Sequence, residues 1–264
     1  MRSGINGVRR QVMRLWRVAG AGATFALFGF GGLLLGFVAI PLLGAFVDEG
    51  RAQRRCRRAI HLAFRLFVAW IALVGLARCD VKGASRLQNA KGTLVVANHP
   101  TLIDVIVLVS HLPDAYCVVK EDVWRNPFYG RVVRAAGYIP SIRADFVVER
   151  AAALVRSGEV VLLFPEGTRT LPGEQPVVRR GAALVLLRAR APALPVRLGV
   201  RPAVLTKGHN LLRFPGERVL FSVVVGDALW PESFATGPSE RVSAQVGARL
   251  LQDILRGERR RLTV

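Results

Sequence analysis

The chain has 264 residues, a net charge of +20 at pH 7 and 52% hydrophobic residues. That length holds one large α/β domain with an appendage, and a mean hydropathy of +0.34 points to membrane contact. The positive charge is almost all arginine, with Lys82, Lys91, Lys120 and Lys207 the only lysines. No zinc-finger spacing, RNP-like aromatic motif or helix-turn-helix pattern accompanies it, so anionic lipid, not nucleic acid, is the expected partner. Cys56, Cys79 and Cys117 have no CxxC spacing, which argues against a disulfide framework or metal site and for a reducing compartment.

In chain order, Arg2, Arg9, Arg10, Arg14 and Arg17 precede a run from Val18 to Val47 without a charged residue. The run exceeds the roughly 20 residues that cross a bilayer, and it is too long for the apolar core of a secretory signal, so it is expected to be retained. Gly32-x3-Gly36 reads as a helix-packing face, and Pro41 as the place where a re-entrant hairpin would bend. Arg51, Arg54, Arg55, Arg57 and Arg58 follow. With positive charge on both flanks, orientation is not assigned, and a hairpin or interfacial insertion is mildly favoured over a clean span. Residues 59–77 form a second apolar stretch, read either as a helix on the membrane or as one packed under the catalytic domain. The expected division is an anchoring helical region over residues 1–78 and a catalytic domain over 79–264.

Beyond residue 79 the pattern alternates. Strands are expected at 93–97, 115–119, 160–164, 194–200 and 219–225, and helices at 101–111, 126–136, 145–157, 179–189 and 239–256. Such alternation gives an α/β sheet flanked by helices. The stretch 170–176 reads as a loop, and Arg256, Arg259, Arg260 and Arg261 as a solvated tail.

Two of the expected strands end in chemistry. Asn98-His99-Pro100-Thr101-Leu102-Ile103-Asp104 sits at a strand-to-helix junction, with Pro100 just inside the helix start. From the first helical turn Asp104 reaches back to His99. The pair is a base with its orienting carboxylate but no serine or cysteine, so the substrate would supply the attacking hydroxyl. On the order of 60 residues later, Phe164-Pro165-Glu166-Gly167-Thr168-Arg169 closes another strand and offers a carboxylate, a glycine and a planar arginine fork to an anionic group.

With these two motifs the chain resembles the glycerolipid acyltransferases of the lysophosphatidic acid acyltransferase-like family. The family's first block, Asn-His-(Arg/Gln)-Ser-x-x-Asp, is matched by Asn98, His99 and Asp104, with Pro100 and Thr101 in place of the usual polar pair. Its second, Gly-x-Ile-x-x-x-Arg, is matched by Gly137, Ile139 and Arg143. The third is intact from Phe164 to Arg169, and the fourth is echoed by Pro192, Pro195 and Val196. The resemblance covers roughly residues 80–205 and implies several things. His99 would be the general base and Asp104 its orienting partner. Glu166, Gly167, Thr168 and Arg169 would hold the acceptor's polar head, and Arg143 would add a second cation. Asn98 and Lys120 are further candidates, and Arg179-Arg180-Gly181 is another family echo. It also implies acyl-CoA or acyl-carrier protein as donor, a lysophospholipid as acceptor, no cofactor, and a bacterial inner membrane with the active site facing the cytoplasm. The stretch Asn98–Tyr138, with Trp124-Arg125-Asn126-Pro127-Phe128, resembles a bacterial subgroup associated with aryl polyenes and other specialised lipids. Two readings from other classes remain: a metal-dependent hydrolase using His99, Asp104 and Glu166 as ligands, and a non-catalytic lipid-binding scaffold. His61, His111 and His209 lack partners at useful spacing and read as structural or surface residues. GxSxG, Walker A and HExxH are absent.

Overall fold

The computed structural model describes residues 2–171, 174–206 and 217–257, with backbone alone for residues 2–10, 14 and 15. Lys207, His209, Pro172 and Gly173 of the expected loop, and Arg259 to Arg261 lie outside the described residues.

Helix α1 (Arg2–Leu34) passes through a π-turn at Leu35–Ala39 into α2 (Ile40–Gly44). The stretch Gln11–Gly44 is long and apolar enough to cross a membrane, and little of it is covered by the rest of the protein. Pro41 does not bend the chain. It sits in the first turn of α2, where its missing N–H costs nothing, and the wide π-turn just upstream donates from Ile40 to the Leu35 carbonyl. The reversal comes at residues 45–48, where Phe46 takes φ 59° and Asp48 caps α3 (Glu49–Leu73) by accepting from the Arg51 N–H at 3.0 Å. The basic segment is therefore the first half of α3, not a linker.

Helices α1 and α3 form a hairpin. The Trp70 Nε1–H donates to Thr24 Oγ1 (3.1 Å), the Trp16 Nε1–H to the Val74 carbonyl (3.2 Å), and Phe28 packs against Phe64 and Phe67. The outward face remains apolar, with Phe30, Leu34, Leu42, Phe46, Leu62, Leu66 and Leu73 all exposed. The inner half of α3 packs against the sheet domain. Cys56 and Ile60 enter the core, and Arg57, 2% exposed, donates to Asp114 at 2.5 Å with its guanidinium 3.8 Å over the Tyr116 ring.

The sheet begins with β1 (Ala77–Lys82), unexpected because Arg78, Asp80 and Lys82 face outward in a period-2 edge pattern. The expected domain boundary at residue 78 falls inside this strand. Then follow α4 (Ala84–Gln88), β2 (Thr93–Ala97), α5 (Asp104–Val109), β3 (Ala115–Val119), α6 (Glu121–Arg125), α7 (Gly130–Ala135), β4 (Ile139–Pro140), α8 (Ala144–Arg156), β5 (Val160–Leu163), α9 (Gly181–Ala189), β6 (Ala193–Arg201), β7 (Val219–Val225) and α10 (Glu240–Arg256). The helix expected over 126–136 begins only at Gly130, because the Asn126 side chain accepts from the Phe128 and Tyr129 N–H groups and holds a turn before α7. The Gly32/Gly36 face packs within the chain: a Cβ on Gly32 would lie 3.2 Å from Tyr129, and one on Gly36 would lie 3.3 Å from Val132.

Among the described residues the strands form one seven-stranded sheet in the order β1-β7-β6-β2-β5-β3-β4, parallel except for β6–β7. Strand β2 lies inside it and is buried along its whole length, as a parallel strand covered on both faces must be. Leu94 and Val96 point to the core under α8, α9 and α10, while Val95 and Ala97 point to the core under α3, α5 and α7. From β2 the chain crosses through α5 to β3 on one side. From β5, the parallel neighbour of β2, it crosses through α9 to β6 on the other. Opposed crossovers from adjacent parallel strands open a crevice at their carboxyl ends.

Candidate active site

Both sequence motifs open into that crevice. Val96 of β2 is in register with Leu163 of β5, so the loops carrying His99 and Glu166 leave the sheet side by side. Asn98 holds its loop to β6: its amide donates to the Leu198 carbonyl at 2.9 Å, and its Oδ1 accepts from the Leu198 N–H at 2.6 Å. That exchange mimics one more ladder pair beyond Ala97↔Val196. Asn98 is therefore a backbone clip.

The helix expected from residue 101 starts at Asp104, and residues 101–103 form a bend and turn. The reason lies in Asp104, which is fully buried and accepts three hydrogen bonds. Oδ2 accepts from Thr101 N–H (2.6 Å) and from His99 Nδ1 (2.8 Å), and Oδ1 accepts from Thr101 Oγ1 (2.5 Å). The reach from Asp104 back to the Thr101 N–H holds the turn that leads into α5. Thr101 thus supplies a hydroxyl and an amide to the dyad. Its three-residue spacing to Asp104 is the signal of this role in the sequence. Because a carboxylate only accepts, Nδ1 carries a proton, and in the neutral imidazole the lone pair is on Nε2. Phe164 stacks on the imidazole with ring centroids 4.4 Å apart. Among the described residues no serine, cysteine or threonine is hydrogen-bonded to His99 Nε2.

Glu166 is 6% exposed. Its Oε1 accepts from the His99 backbone N–H at 3.1 Å, and its Oε2 accepts from the Thr170 hydroxyl. The Thr170 N–H in turn donates to the His99 carbonyl at 3.1 Å. Burial pushes the Glu166 carboxyl above its ordinary range, opposed by the hydrogen bonds from Thr170 and His99. Gly167 takes φ +72°, and a Cβ there would lie 3.7 Å from the Arg179 guanidinium. Arg169, half-buried, donates to the Leu205 carbonyl at 3.3 Å, which also receives the Leu102 N–H at 2.9 Å. Thr168 is half-buried beside it, and Lys120 is exposed at the end of β3.

Arg143, expected as a second cation, forms a two-pronged pair with Asp145, and its side chain is 73% exposed. The Arg143 guanidinium holds the Asp145 carboxyl down at about 2. Its charge is already balanced, whereas Arg179 lies over the Gly167 turn. Elsewhere, His61 bonds the Val109 carbonyl and His111 the Val107 carbonyl through Nδ1, as structural residues do. Burial raises Cys117 to about 12, so it is no nucleophile. Among the described residues no group of three or more His, Cys, Asp or Glu side chains is arranged to hold a metal ion.

Residues 78–199 match the Acyltransferase family model, the segment that holds the dyad and the Glu166 loop. Over that segment, a little under half of the chain, the protein is similar to acyltransferases. Similar proteins include the chloroplastic 1-acyl-sn-glycerol-3-phosphate acyltransferase BAT2 of Brassica napus, 26% identical over 63% of this chain and 50% of its own length. The 1-acyl-sn-glycerol-3-phosphate acyltransferase of Bacillus subtilis is 26% identical over 64% of this chain and 82% of its own. The chain thus spans about half the length of the plant relatives it matches. The crystal structure of the 1-acyl-sn-glycerophosphate acyltransferase PlsC from Thermotoga maritima superposes with a TM-score of 0.68 over 97% of this chain and 100% of that one. At 17% identity, this likeness establishes a shared fold.

Proposed function

We propose that the protein is a membrane-associated O-acyltransferase. It moves a fatty acyl group from acyl-CoA or acyl-carrier protein to a lysophospholipid hydroxyl, by default that of 1-acyl-glycerol-3-phosphate, giving phosphatidic acid. The observation that carries this reading is the histidine paired with a buried carboxylate, with no side-chain nucleophile hydrogen-bonded to its Nε2 among the described residues. His99 Nε2 takes the acceptor's hydroxyl proton as the oxygen attacks the thioester carbonyl. Asp104 stabilises the imidazolium. The tetrahedral adduct expels the thiolate, and the imidazolium returns the proton to the sulfur. No acyl-enzyme forms, and no cofactor is invoked beyond the thioester donor.

Thr168 and Arg169, with the Gly167 turn, meet the acceptor's phosphate, and Lys120 adds a cation from the neighbouring strand end. The sheet domain, from β1 onward, carries the catalysis. The hairpin of α1 and α3 anchors the protein through its apolar face, at a bacterial inner membrane with the crevice on the cytoplasmic side, where thioester donors reside. A second reading, an acceptor from a specialised or polyene lipid, is favoured by one observation: Arg143 is neutralised by Asp145, leaving fewer cations for a phosphate.

The test is thiol release in liposomes, comparing wild type and His99→Ala with each donor, with and without lysophosphatidic acid. Release that needs this acceptor and vanishes in the variant is expected. Release only with another lipid extract would move the assignment to the second reading. Equal release by His99→Ala would leave a scaffold or a different mechanism.

A further inference from the structure

The carboxylate of the third block is the least explained group in the crevice. The family resemblance implies that it serves the acceptor's polar head. Its surroundings say otherwise. A ligand for a substrate needs an oxygen facing the cavity, yet Glu166 is 6% exposed and each oxygen already accepts a hydrogen bond from the protein. Both donors lead back to one place. One is the His99 amide itself, and the other is Thr170, whose own N–H binds the His99 carbonyl at 3.1 Å. The polar groups of the His99 peptide backbone are therefore held from both sides by residues 166 and 170. A carboxylate next to the headgroup site would also repel the anionic acceptor.

We propose that Glu166 is a positioning residue: with Thr170 it clips the third-block loop to the backbone of His99 and fixes the direction of the imidazole toward the acceptor hydroxyl. The dyad is thus held at two points, Asp104 gripping the ring and Glu166 gripping the backbone beneath it. A catalytic base must be held within a fraction of an ångström of its productive place, and loss of either grip lets the ring drift. This inference rests on the acyltransferase reading for its kinetic consequence but not for its structural one, and the test separates the two.

Glu166→Ala removes both acceptors. Glu166→Gln keeps an oxygen for the His99 N–H and offers an NH2 group to the Thr170 hydroxyl, which can reverse its role. Hydrogen–deuterium exchange of the peptides covering residues 97–104 is measured first, on full-length protein in detergent. Exchange is expected to rise in Glu166→Ala and in Thr170→Val and to stay near wild type in Glu166→Gln. Kinetics follow. Glu166→Ala is expected to lower kcat by about 30- to 100-fold with KM for the acceptor within about threefold, and Glu166→Gln to recover to within about fivefold of wild type. A tenfold or greater rise in KM for the acceptor in both variants, with kcat unchanged, would make Glu166 a headgroup ligand and overturn the proposal. Unchanged exchange in Glu166→Ala would overturn it whether or not transfer is observed. Raised exchange in a protein whose wild type transfers nothing would instead keep the clip and remove the acyltransferase reading.

Discussion

Replacing Asp104 with asparagine tests how the dyad works. Asparagine preserves the shape, so its carbonyl can still accept from Thr101 N–H and His99 Nδ1–H, and the Thr101 hydroxyl can accept from its NH2. What disappears is the negative charge 2.8 Å from the ring nitrogen. Two unit charges at that distance attract by about 6 kcal/mol at an effective dielectric of about 20. Desolvation of the buried pair returns part of this, and a net loss of about 3–4 kcal/mol at the imidazolium-forming step corresponds to about 10²–10³ in kcat. KM for the acceptor should hardly move, since Asp104 is fully buried and out of reach of the substrate. Thr101→Val, which deletes one donor to Asp104, should cost about 1–2 kcal/mol, or roughly 5- to 30-fold. The assay is thiol release at saturating donor and acceptor, with melting curves to show that the variants fold. Asp104→Asn within threefold of wild type, in a folded protein, would refute the claim that the charge of Asp104 drives proton abstraction.

Two more outcomes follow from the packing. Asp114→Asn removes the carboxylate nearest the buried Arg57 guanidinium and leaves Glu159 at 3.9 Å as its remaining ionic partner among the described residues; stability should drop by about 3–5 kcal/mol, a fall in Tm of roughly 6–15 °C, whereas the apolar pair Arg57→Met with Asp114→Leu should recover most of it. Phe30 and Leu42 are 67% and 71% exposed on the hairpin's outer face, so Phe30→Asp with Leu42→Asp, at about 2.5–3.5 kcal/mol per buried charge, should reduce liposome flotation more than tenfold without changing Tm; undiminished flotation would show that this face does not enter lipid.

Periodicity and motif order made the interior strands at 93–97 and 160–163 legible, because strands buried on both faces must be apolar throughout. The edge strand β1 escaped, since one of its faces carries Arg78, Asp80 and Lys82 and reads as loop. The dyad was legible as well, because His99 and Asp104 are only five positions apart and local geometry brings them together. Local pattern also showed the apolar run of residues 18–47, but not that it folds back at Phe46 instead of Pro41. A proline in the first turn of a helix costs no hydrogen bond, and the upstream π-turn absorbs the rest.

The sequence by itself determined the chemistry: a base, its carboxylate and an arginine-bearing turn, each ending a buried strand. Only the tertiary structure decided which groups remain free to use it. The register of β2 against β5 set the His99 peptide against Glu166 and turned an apparent substrate ligand inward. The fold also paired Arg143 with Asp145 and laid Arg179 over Gly167. Such partnerships depend on how strands far apart in the chain are ordered in the sheet, and no spacing along the chain encodes that order.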